Sequence, residues 1–85
     1  MLYQAAVVFT VTGVVDMKMT SLQVEVSFAY DTNNPHHEDL HDELYDEGLK
    51  RVKEVLKDTP GGDVVLENYE DWTVWPKKVS LNTIQ

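Results

Sequence analysis

Tyr3, Ala5, Val7, Phe9 and Val11 place an apolar side chain at every second position. A period of two buries one face only if the chain is extended, so this segment is constrained to be a strand. The intervening positions mix Gln4 and Thr10 with Ala6 and Val8, and the second face is therefore expected to be partly covered. A cleaner alternation follows at Leu22, Val24, Val26, Phe28 and Tyr30, with Gln23, Glu25 and Ser27 between them. Two such runs close in sequence form an antiparallel hairpin. The first run is the more apolar and is expected at the centre of the sheet. The pattern fails over residues 16–21, which are expected to form the hairpin loop.

The segment after the hairpin has a different period. Asn34 is a good helix N-cap and Pro35 a good first helical residue, because proline lacks only an amide that would be orphaned there anyway. A helix is expected over residues 35–57, ended by the Thr-Pro-Gly-Gly that follows Asp58. At 100° per residue, His37, His41, Leu44, Tyr45, Gly48, Val52, Val55 and Leu56 fall on one stripe. Gly48 lies at its centre, where a missing Cβ lets a helix approach a sheet closely. Acids crowd the first half of the helix and bases the second, matching the helix dipole. Asp46–Lys50 and Glu47–Arg51 have the spacing of helical ion pairs. Residues 64–69 read as a third strand and residues 72–81 as a fourth, with Pro76 marking an edge, a bulge or a strand start.

The expected fold is thus α+β in the order ββαββ. One helix packs on one face of a mainly antiparallel, three- to four-stranded sheet, within a single compact domain spanning residues 1–85. A ubiquitin-like β-grasp has the same element order, and no residue motif carries that likeness further.

Composition narrows the function classes. The net charge is −8, and direct binding to nucleic acid or to an anionic membrane is disfavoured, because both depend on Lys and Arg. Cysteine is absent, which excludes disulfides and thiolate metal sites and fits a reducing cytoplasm. The apolar start of the chain alternates and has no basic residue before Ala5, so it reads as a strand and not as a signal peptide. Ser21, Ser27 and Ser80 lie in no nucleophile-elbow context, and Pro60-Gly61-Gly62-Asp63 lacks the Lys-Ser/Thr of a phosphate loop. No catalytic residues and no cofactor are expected.

One motif argues the other way. His37-Glu38-Asp39-Leu40-His41 fits the H-E-x-x-H pattern of zinc peptidases, in which two histidines one helical turn apart hold the metal and the glutamate acts as general base. Against it, Asp39, Asp42 and Glu43 crowd the motif, and no His lies outside the expected helix to act as a third ligand. Glu67, Glu70 or Asp71 would have to be delivered by the fold. His37 and His41 are therefore kept as an alternative metal site. The main expectation is that they extend the apolar stripe toward the start of the helix.

Two surfaces remain as candidates for partner binding. Asp39, Asp42, Glu43, Asp46 and Glu47 are expected to lie on the solvated side of the helix. An ordered row of carboxylates can stand in for phosphates and steer association with a basic protein. In size and charge the chain resembles the small acidic proteins known as DNA mimics, many from phages; the resemblance is one of physics. Trp72 and Trp75 are three apart, so on a strand they point to opposite faces, one toward the core and one outward. The leading expectation is an inhibitor or modulator that occludes a basic, nucleic-acid-binding surface of a protein partner. The alternatives are a metal-binding protein or hydrolase using His37 and His41, and a structural homo-oligomer, a homodimer in the simplest case.

Overall fold

The computed structural model describes residues 1–34 and 36–84, with the side chains of residues 37–39 outside the description. Strand β1 (Leu2–Val15) and strand β2 (Lys18–Asp31) form a hairpin paired from Leu2↔Asp31 to Val15↔Lys18. Helices α1 (His37–Leu49), α2 (Val52–Lys57) and α3 (Gly62–Glu67) follow, then a 3-10 turn (Tyr69–Asp71) and strand β3 (Thr73–Thr83). β3 pairs antiparallel with the other side of β1, so the sheet order is β2-β1-β3. The fold is α+β, an antiparallel sheet with helices on one face, and the most apolar strand is central as expected. β2 and β3 are both antiparallel to β1 and therefore run the same way, joined by the helices as a split β-α-β unit. Neither pairing is parallel, so the likeness to a β-grasp stops at element order.

The alternation places the core as expected. Tyr3, Ala5, Val7, Phe9 and Val11 of β1 and Val24, Val26 and Phe28 of β2 are buried. Leu40, Leu44, Val52, Leu56 and Val65 close over them from the helices. Gly48 is buried at the contact, where an added Cβ would lie 3.1 Å from the Phe9 ring and 3.2 Å from Cβ of Val7. The missing side chain sets the helix-to-sheet distance. Pro76 sits on the edge strand β3 at a shift of register: Val8 pairs with Lys78 and Phe9 with Pro76, leaving Lys77 as the extra residue of a bulge.

Three expectations fail, each for a local reason. The loop expected over residues 16–21 is only two residues long. Asp16 and Met17 both have positive φ, 50° and 67°, as a type I′ hairpin turn requires. Strand pairing thus continues through Met19 and Ser21, although their side chains break the alternation.

The single helix expected over residues 35–57 is two. Its buried residues Leu40, Leu44, Gly48, Val52 and Leu56 recur every four positions. On a straight helix of 3.6 residues per turn such a stripe drifts by about 160° over that length. Each of two shorter helices instead lays its own buried residues on the core, with the interruption at Lys50 and Arg51. There the Arg51 amide bonds to the Gly48 carbonyl at 2.9 Å, a tighter i→i+3 turn. At the start, α1 begins at His37 and Asn34 does not cap it. Asn34 Oδ1 accepts instead from the His36 amide, at 3.4 Å; Pro35 lies outside the described residues.

The third strand expected at residues 64–69 is helix α3 with the 3-10 turn after it. Gly61 turns the chain with φ 84°, and Gly62 packs so tightly on the Leu56 carbonyl that an added Cβ would overlap it. Val65 is then buried, with Leu66 and Tyr69 against the same core, a helical spacing. Both sides of β1 are occupied by β2 and β3, so this segment has no place beside the central strand.

Candidate functional site

The carboxylate row lies on α1, and the fold divides it into two ridges. Asp42 and Asp46 are exposed. Glu43 is exposed as well but faces Tyr30 of β2, and Glu47 is half-buried and paired within the chain. Glu47 accepts from Arg51 at 3.0 Å and from Lys50 at 3.1 Å, and these bonds hold its carboxyl below the usual range. Lys50 therefore pairs with Glu47, not with Asp46 as its spacing suggests. The Arg51 guanidinium also donates to the Glu47 carbonyl at 2.7 Å and lies 4.6 Å from the centroid of the Phe28 ring. The Glu43 carboxylate facing the Tyr30 hydroxyl is the main cause that raises the Tyr30 phenol to about 12, with desolvation and the charge of Glu47 adding to it. The Asp39 side chain lies outside the described residues.

Sequence reading missed the extent of the acidic surface. Twelve of the fifteen carboxylates and four of the seven bases lie between residues 37 and 72, a net charge of −8. The three acids and three bases left over, on the strands and hairpin turn, cancel. All the net charge is thus carried by the helical layer. Asp58, Asp63, Glu67, Glu70 and Asp71 extend it beyond α1, and a count by segment would have shown this. Within it, an open depression of about 300 Å³ is lined by Lys53, Tyr69, Glu70 and Asp71 among others. Lys53 Nζ there sits 4.6 Å from the centroid of the Tyr69 ring.

The tryptophans separate as their spacing implies. Trp72 is half-buried against the core, its indole on Gly13, where an added Cβ would come within 2.5 Å of Cδ2. Trp75 is 58% exposed and pairs with Thr10 on the side of the sheet away from the helices. Of the two, Trp75 is the exposed one.

His41 is half-buried, its ring centroid 6.0 Å from that of Tyr45, which in turn lies 6.3 Å from Phe9. It extends the aromatic end of the core. The side chains of His37 and Glu38 lie outside the described residues. Among the described residues no three His, Cys, Asp or Glu side chains are grouped to hold a metal ion, and no helix is long and apolar enough to cross a membrane. No family model matches the chain, and no curated protein or solved structure matches it.

Proposed function

We propose that the chain is a small acidic interaction protein of the cytoplasm that acts by binding and not by chemistry. Its helical layer docks on a basic surface of a protein partner and occludes that surface from nucleic acid, in the manner of a DNA mimic. The supporting observation is the separation of charge: the helical layer carries −8 and the remainder of the chain none. A field of one sign on one side steers encounter with a basic groove, and matched charges set orientation. Asp42 and Asp46 are the contact carboxylates, since neither is among the acids held by Lys50, Arg51 or Tyr30. Trp75 lies on the other side of the sheet and is not part of this contact.

The test is affinity capture from a nuclease-treated cell lysate with the wild-type chain and with Asp42→Lys/Asp46→Lys as baits. The wild type should retain a nucleic-acid-binding protein that is released by salt or by competing duplex DNA. The variant should lose it while its stability moves by no more than about 0.5 kcal/mol, the usual range for exposed positions. Equal capture by the folded variant would remove α1 from the interface and the mimic reading with it.

A further inference from the structure

The side of the sheet away from the helices is uncovered among the described residues. In register it is built from Ala6, Val8, Thr10 and Thr12 of β1, flanked by Ser27, Glu25, Gln23 and Ser21 of β2 and by Ser80, Lys78, Trp75 and Thr73 of β3. Leu2, Val14, Met19 and Trp75 on this face are exposed, and so is Ile84, which continues β3 beside Leu2. These are five of the nine large exposed hydrophobic residues described, so the apolar surface of the molecule is concentrated here.

We propose that two copies of the chain associate face to face through this side of the sheet. The two-fold axis runs parallel to β1 above Val8, so that β2 of each copy lies over β3 of the other.

Charge selects this occupant and this orientation. Glu25 and Lys78 flank Val8 in one cross-strand row. Rotation about an axis along β1 sets Glu25 of each copy over Lys78 of the other. An axis across the strands would instead set Glu25 over Glu25 and Lys78 over Lys78, and like charges brought together are repelled. Stacking these faces also leaves the two acidic helical layers on the outside, as far apart as the dimer allows. Edge-to-edge pairing through β2 would lay them side by side.

The size is sufficient. Three strands of 14, 14 and 11 residues at about 3.4 Å per residue and about 4.8 Å between strands offer roughly 600 Å² per copy. The two copies together reach roughly 1,200 Å², the lower bound for a specific interface. The row Ser27–Ala6–Ser80 beside Val8 holds only small side chains, which permits close stacking of two sheets at about 10 Å. Nothing here rests on the acidic reading of the helices, which occupy the other side of the sheet.

Sedimentation equilibrium of the wild type, of Glu25→Lys, of Lys78→Glu and of the double exchange tests this, with a melting curve for each. At up to about 100 μM, within the range where modest interfaces assemble, the wild type should approach twice the monomer mass. Either single reversal should weaken association by about tenfold or more, and the double exchange should restore it. Trp75→Ala should weaken it as well, since tryptophan is enriched at interface hot spots. A monomeric wild type overturns the proposal. So does a dimer that persists unchanged in both reversals, which would place association at an edge or on the helices. A double exchange that stays monomeric removes the Glu25–Lys78 pairing and with it the orientation.

Discussion

Phe9 and Thr10 are consecutive residues of β1, and they belong to different environments. Phe9 is 2% exposed, with its ring against Tyr45 and the backbone of Gly48. Thr10 is half-buried, between Gln23 and Trp75 on the uncovered face. The helices sort the two sides further: they bring a net charge of −8 to one, while charges on the strands and hairpin turn cancel. One face of the sheet is therefore committed to holding the fold, and the other is free to be selected for something else. The mixed character of Ala6 and Val8 among Gln4 and Thr10, visible in the alternation of β1, marks that second face.

The largest test of this contrast is a pair of neighbouring truncations. Phe9→Ala should cost about 3–5 kcal/mol, by lost transfer energy and a residual cavity. Thr10→Ala should cost about 1 kcal/mol or less, as a half-exposed strand position. Chemical denaturation of both variants at low protein concentration reads the difference, and equal losses would break the two-face description. A smaller effect is expected at Gly13→Ala, which overpacks the covered face. Its Cβ would press on the indole of Trp72 and should destabilise by about 1–3 kcal/mol, with a change in Trp72 fluorescence read in a Trp75→Phe background.

The hairpin turn sharpens the comparison from outside both faces. Met17 holds a left-handed backbone, with φ 67°, while its side chain is 97% exposed. Nothing in its packing compensates for that conformation. Met17→Gly should raise stability by about 0.5–1 kcal/mol, the left-handed penalty less the added entropy of an unfolded glycine.

The subtlest test is a titration. The Tyr30 phenol, raised by Glu43 to about 12 from 10.0, should ionise late in an ultraviolet titration, and Glu43→Gln should bring that step back toward the ordinary value. Because the folded pKa lies above the unfolded one, this contribution to stability is fully present below pH 10 and is lost as pH rises toward 12. At the acid end, Glu47 has a lowered pKa. Its contribution is present above the ordinary carboxylate range and fades as pH falls through it.

The strands were legible because a period of two fixes each side chain to a face at single-residue resolution. The turn was not, since Asp16-Met17 lacks the Asn-Gly or Asp-Gly signal of a type I′ hairpin. The break between α1 and α2 was hidden because no proline interrupts residues 37–57 and Gly48 was read as a packing residue, so that only the four-residue recurrence from Leu40 to Leu56 hints at it. Residues 64–69 misled because Val64 and Val65 carry strand propensity, whereas their conformation was decided by Gly61, by Gly62 against Leu56 and by the lack of a free place beside β1. At the candidate site, Glu47–Arg51 was readable from its spacing, and the two tryptophans separated as three-residue spacing requires. Tyr30–Glu43 was not readable, because it joins a strand end to a helix across the fold.

The pairing of β1 with β3 brings Tyr3 opposite Thr83, and the Ile84 amide reaches the Leu2 carbonyl at 3.2 Å. The path of the backbone is nearly a closed ring, with this seam at one end of the long axis and the Asp16–Met17 turn at the other. A tether attached before β1 and another attached beyond β3 would leave from a single corner, clear of the hairpin tip. For the same reason a short linker could seal the seam while new ends are opened at Asp16 and Met17, a permuted chain that retains every strand and helix.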